Sequence, residues 1–188
     1  MTPKIRITRE QIISAAVEIV RRDGDAALNA RSVATELHCS TQPVFSNFAS
    51  MEELRSAVIA NANAQCREYI AREVASGQYP SYKASGMAYI RFAAEEKELF
   101  KLLYMRSRKK EDVSPEAGLF IDMQKLVQKN TGVNAQQAEL FHLEMWAYVH
   151  GIAVMLATGY LTLEWELISR MLTDAYQGMK KHYEQEEA

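Results

Sequence analysis

At 188 residues, with 48% hydrophobic and 24% charged side chains, the chain suits one large domain, or a small one fused to a larger, with apolar residues enough for a core. Its 8 Gly and 4 Pro are too few for a disordered or all-β chain, so an all-α fold is expected. A formal net charge of -2 argues against non-specific coating of nucleic acid but leaves room for a local basic footprint.

Cys39 and Cys66 stand in no metal-ligand or redox spacing, and two cysteines in so long a chain point to a reducing, cytoplasmic location. The basic N-terminus has no apolar run before a small-residue cleavage site, so no signal peptide is expected. The longest apolar stretch, 145–160, contains His150 and is closely flanked by Glu144 and Glu164. It falls short of the roughly 20 residues of a spanning helix, and a buried helix with no membrane partner is expected.

In chain order, a basic arm with Lys4 and Arg6 precedes Thr8-x-x-Gln11, a capping-box pattern that starts a helix. Ile12, Ile13, Ala16, Ile19 and Val20 follow at helical spacing, and Gly24 stops it. A second short helix follows the N-cap Asn29, with Val33, Ala34 and Leu37 on one face and Arg31 outward in its first turn. His38 and Cys39 then form a tight link to a third helix within 40–48. Ser40 is its expected N-cap, Pro43 falls in its first turn, and Val44 and Phe48 form its buried edge. Thr41, Gln42, Ser46 and Asn47 are left outside, the short hydrogen-bonding groups that read base edges or hold phosphates. Two short helices joined by a tight turn and braced by a third have the layout of a helix-turn-helix module.

Residues 8–54 resemble the DNA-binding region of the tetracycline-repressor (TetR) family of bacterial regulators. The resemblance lies in the run Ile12 to Val20, then Arg31-Ser32-Val33-Ala34-x-x-Leu37, then Ser40 to Phe48, closing with Glu52-Glu53-Leu54. It implies DNA contacts from Lys4, Arg6, Arg31, Ser40, Thr41, Gln42, Phe45, Ser46 and Asn47, within a DNA-binding domain of residues 1–50. Three positions depart from the family pattern. His38 stands where a turn glycine is usual, Phe45 where a tyrosine is usual, and Met51 where a lysine is usual. The first predicts a left-handed residue, and the other two each remove a phosphate contact.

Ser50-x-x-Glu53 opens a long helix toward Ser76, with Leu54, Val58, Ala62, Tyr69, Ile70 and Val74 inward. Two helices follow with a bend near Glu96, where Lys97 replaces the proline of the family subgroup that this half resembles, so a softer break is expected. Arg106, Arg108, Lys109 and Lys110 read as a solvated loop before the helix start Ser114-Pro115-Glu116. Asn134-x-x-Gln137 opens a helix that is apolar all round after Glu144. Its run from Trp146 through His150 to Gly151 resembles the tryptophan-histidine-glycine signature of that subgroup. Thr162 is the expected cap of a final helix with Leu163, Leu167, Ile168, Met171, Leu172, Ala175 and Met179 inward. Nine helices result, residues 51–188 forming a ligand-binding and dimerisation domain as the resemblance implies.

Glu139-x-x-His142 has the spacing of carboxylate-bridged di-iron bundles, but those need a second such motif and two more glutamates. No metal, cofactor or catalytic residue is expected. Among the aromatics and methionines of the rear half, Tyr104, Phe120, Met123, Phe141, His142, Met145 and Trp146 are the candidates for a ligand cavity, with Glu144 and Tyr148 as further polar candidates. The expected function is that of a DNA-binding transcriptional regulator, a homodimeric repressor released by a small apolar or amphipathic ligand. Its partners are a double-stranded operator in inverted repeat and a second copy bound through the last two helices. The alternatives are a helical sensor or adaptor without DNA binding, given Phe45 and Met51, and a helical metalloenzyme.

Overall fold

The computed structural model describes residues 7–106 and 114–186, and these form an all-α protein of nine α-helices with a short 3-10 turn, Asp25–Ala27. The helices are α1 (Arg9–Asp23), α2 (Ala30–Glu36), α3 (Gln42–Asn47), α4 (Met51–Ser76), α5 (Ser81–Glu95), α6 (Lys97–Tyr104), α7 (Ser114–Thr131), α8 (Ala135–Ala157) and α9 (Trp165–Glu186). They divide into two compact units. One takes the chain up to Arg67 together with Glu96–Arg106, and the other takes Glu68–Glu95 with the described residues beyond 107.

In the first unit α1 is the central brace, packing against α2 and α6. Thr8 and Gln11 close their capping box reciprocally, as the spacing predicts. Ile12, Ala16, Ile19 and Val20 are buried with Val33, Val44, Phe48, Leu54, Val58, Leu99 and Phe100. Gly24 ends α1 at φ 81, a conformation that strains any side chain, and a β-carbon there would also sit 3.1 Å from a Glu98 carboxylate oxygen, which would have to give way. Arg21 reaches Glu96 at 2.7 Å and Gln65 at 2.7 Å, tying α1 to the start of α6 and to α4. The chain breaks fully at Glu96, which leaves helical geometry (φ -112, ψ 52) with Lys97 in the proline position.

The Asn29 capping box starts α2, and a Schellman turn ends it: His38 N–H donates to Thr35 O at 3.1 Å and Cys39 N–H to Ala34 O at 2.9 Å. His38 takes φ 51, the left-handed conformation that its place in the turn requires. A non-glycine residue there costs about 1 kcal/mol, so His38→Gly is expected to stabilise the protein by about that much in chemical denaturation. An unchanged or lower midpoint would show that the imidazole offsets the strain.

Two expected caps are corrected. The N-cap of α3 is Thr41, at φ -72 and ψ -12, with no side-chain cap bond, so Ser40 does not cap the helix. Capping needs the extended backbone that folds a hydroxyl onto the first-turn N–H groups, and Thr41 already has helical dihedrals. Likewise α9 begins at Trp165 rather than after Thr162. Three residues beyond Thr162 stands Trp165, which cannot return the reciprocal bond of a capping box.

The second unit is centred on α5, which packs against α7, α8 and α9. The close approach of these helices is at Gly86, where a β-carbon would lie 3.1 Å from Leu172 Cδ2 and 3.5 Å from Val149 Cγ2. At Gly151, by contrast, a β-carbon would meet nothing within 4 Å among the described residues. Of the residues placed inward on α9, Ile168 and Leu172 are buried but Leu167 is 47% exposed. Among the described residues α8 is the one helix long and apolar enough to cross a membrane, and Phe141, Met145, Val149, Ile152 and Leu156 bury its inner face.

Candidate functional sites

The first site is the surface made by α2, the Schellman link and α3. Arg31, Ser40, Gln42, Phe45 and Ser46 are all exposed on it, Phe45 by 56%. Thr41 and Asn47 are half-buried. Ser46 Oγ donates to Gln42 O at 2.9 Å and Asn47 Nδ2 to Pro43 O at 2.8 Å, so both side chains are turned back on their own helix. The Gln42 side chain is exposed at the start of α3 and makes no such bond to its own helix. Lys4 and Arg6 lie outside the described residues.

Arg9, which sequence reading did not single out, meets this surface from α1. Its Nη1 donates to the Asn47 carbonyl at 2.5 Å, its Nη2 to Glu53 Oε1 at 2.8 Å, and its guanidinium carbon lies 4.0 Å from the Phe48 ring centroid. Ser50 caps α4 by accepting the Glu53 N–H at 3.2 Å, as its spacing predicts. Glu53 itself reaches one residue further back than a capping box does, accepting the Ala49 N–H at 2.7 Å. That bond first, and Arg9 second, hold the Glu53 carboxyl below its usual range. Partners 38 and 44 residues apart leave no local signal in the sequence.

The second site is a polar seam between α5 and α8. Tyr82 OH lies 2.9 Å from His142 Nδ1, and one turn-pair further along Tyr89 OH lies 2.9 Å from His150 Nδ1. His142 is 8% exposed, and burial drives its pKa down to about 4. Burial also lowers the pKa of His150 and raises that of the Tyr82 phenol. Phe141 is fully buried between Tyr176 and Tyr183, at ring distances of 5.3 and 5.7 Å, and Met145 is buried beside it in sequence on the same face. Trp146 points elsewhere: it is 41% exposed and stacked on His150 at 4.8 Å. Met123 is half-buried on α7, and the side chain of Phe120 lies outside the described residues. Tyr104 belongs to the first unit, against Phe100 and 3.7 Å from Cys66 Sγ. The expected ligand set is therefore brought together only in part, around Phe141, His142 and Met145.

An open groove of about 530 Å³ lies elsewhere in the second unit, lined by Tyr79, Lys83, Met87, Arg91, Trp165 and Arg170 among others, none of them a sequence candidate. Lys83, Met87 and Arg91 share a face of α5 by their spacing of four, and Arg91 stacks on Trp165 at 4.6 Å. Glu139 is exposed while His142 faces Tyr82, and among the described residues no three His, Cys, Asp or Glu side chains gather as metal ligands.

Residues 82–175 match the family described as tetracyclin repressor-like, C-terminal domain. No curated protein matches the chain. Among solved structures, a protein with unknown function from Rhodococcus sp. RHA1 is 21% identical, with 97% of this chain and 99% of that one covered at a TM-score of 0.75. A TetR-like transcriptional regulator from the same organism is 18% identical, covers 93% and 98%, and has a TM-score of 0.69. The multidrug binding protein EbrR, complexed with malachite green, is 20% identical over 92% and 98% at a TM-score of 0.60. At these identities the three structures share the fold.

Proposed function

The chain belongs to the tetracyclin repressor-like family, and on that premise we propose that it is a sequence-specific DNA-binding transcriptional regulator, a cytoplasmic homodimeric repressor released by a small ligand. In this reading residues 1–50 bind DNA, and residues 51–188 bind the ligand and dimerise, with Trp146 stacked on His150 serving as the subgroup's signature pair. The observation that carries it is the presentation of α3. A six-residue helix is set on the surface by a Schellman turn that accepts strain at His38, with Gln42, Phe45 and Ser46 outward and only Val44 fully buried. Such a helix adds little to a core, whereas its outward amide, hydroxyl and ring suit base edges, phosphates and thymine methyl groups.

The effector is an apolar or amphipathic molecule seated in the second unit against Phe141, His142 and Met145. The malachite green bound by EbrR is a precedent for such a ligand in this fold. Effector and operator then weaken each other's binding by one common factor, with α4, which contributes residues to both units, as the element that carries the change.

The test is selection of bound duplexes from a random pool by the wild type and by Gln42→Ala. The wild type is expected to enrich an inverted repeat. Gln42→Ala should relax the preference at one position of each half-site by about 1 to 3 kcal/mol. A pool that is not enriched would remove the DNA-binding reading in favour of a sensor without DNA binding, and an unchanged motif would remove Gln42 as a reader.

A further inference from the structure

α3 is far shorter than the roughly 12 residues that an isolated helix needs to be even marginally stable in water, so its direction is set by what holds its ends. The entrance is held by the Schellman turn. The exit is held by two side chains from other helices, Arg9 in the first turn of α1 and Glu53 in the first turn of α4. Arg9 takes the last carbonyl of α3, Asn47 O at 2.5 Å, and covers the Phe48 ring, while Glu53 takes the Ala49 N–H at 2.7 Å. The linker of residues 47–49 is thus gripped at a carbonyl by a cation and at an N–H by an anion, and the two charges are themselves paired at 2.8 Å. Their side chains are 42% and 40% exposed, and ion pairs this open add little to global stability. Their geometric effect is specific: the pair determines where α3 ends relative to α1 and α4.

We infer, on the reading of α3 as the DNA-reading helix, that Arg9 and Glu53 form a positioning clamp that sets sequence specificity without either residue touching a base. Base readout depends on the placement of short side chains, whereas phosphate attraction depends mainly on charge. Glu53 separates the two effects by sign. Removing an acid near DNA tightens binding to every duplex if charge alone matters. Removing one jaw of the clamp loosens α3 and lowers discrimination.

The experiment compares Arg9→Lys, Glu53→Ala and the double variant with the wild type, using the operator selected by the wild type and a scrambled duplex. Hydrogen exchange over residues 44–49 is measured on the DNA-free proteins. Each single variant is expected to lose about tenfold or more of the operator preference, with Arg9→Lys keeping its affinity for the scrambled duplex, Glu53→Ala keeping or raising it, and both keeping a circular-dichroism melting curve near that of the wild type. The double variant is expected to be no worse than the weaker single, since both act through one joint. Exchange over 44–49 should quicken in all three. Tighter operator binding by Glu53→Ala with unchanged exchange would overturn the clamp. If the wild type prefers no duplex, the DNA-binding reading fails and the role in specificity fails with it, while the exchange rates still decide the clamp itself: unchanged rates overturn it, and faster rates show that Arg9 and Glu53 position α3.

Discussion

Acidifying the protein from pH 6.5 toward pH 4 is expected to cost about 3 kcal/mol of stability through His142 alone. The imidazole is buried beside Tyr82, and desolvation holds its folded pKa at about 4, against 6.5 for the unfolded group. Above pH 6.5 neither state binds the proton, and the full stability is present. Between the two values the unfolded chain is protonated and the native one is not, so stability falls as pH falls and the loss is complete below about pH 4. The lowered pKa of His150 adds in the same direction. Denaturant titrations across this range, on the wild type and on His142→Gln, isolate the effect, because glutamine offers Tyr82 an acceptor but does not titrate. Equal pH slopes in the two proteins would refute the assignment.

Aspartate at Leu143 is expected to convert the proposed dimer into a monomer, weakening association by roughly 100-fold or more, since each copy would bury an unpaired carboxylate. Leu140 and Leu143, each 48% exposed, continue through Ala147, Gly151 and Val154 along one outward face of α8. Among the described residues nothing lies within 4 Å of a β-carbon built at Gly151 or at Gly178 on α9, and Leu167 on α9 is exposed as well. A two-fold contact would cover the same stripe on both copies. Light scattering at micromolar concentration checks the oligomeric state, with Ile121→Asp as the control, since Ile121 is 49% exposed but stands on α7, not on the last two helices. A Leu143→Asp protein that remains dimeric, or a monomeric wild type, would remove this interface. Operator affinity is expected to fall with the dimer, because two half-sites can no longer be held together.

The helices themselves were legible because their signals are local. Thr8 with Gln11 and Asn134 with Gln137 are reciprocal caps three residues apart, Asn29 is an N-cap by residue type, and Gly24 stops α1 at a φ that other residues resist. His38 could be read as left-handed because the family resemblance puts a turn glycine at its position, and it takes φ 51. Ser40 and Thr162 misled because a residue type that can cap does not by itself fix where a helix starts: α3 begins after Thr41 and α9 at Trp165.

Tertiary structure alone decided which partners meet. That α6 packs against α1, that Arg9 holds the end of α3 with Glu53, and that Tyr82 and Tyr89 pair with His142 and His150 are contacts across 38 to 75 residues of chain. It also decided which apolar side chains stay outside. With Leu140, Phe141 and Leu143 close together before Glu144 and apolar residues all round after it, α8 shows no single preferred face in its sequence, so only packing against α5 and α7 could send Phe141, Met145 and Val149 inward and leave Leu140 and Leu143 outward. Periodicity along one helix specifies its own faces when polar and apolar residues alternate around it. Where they do not, the face is chosen by the neighbours, and a linear sequence does not state who they are.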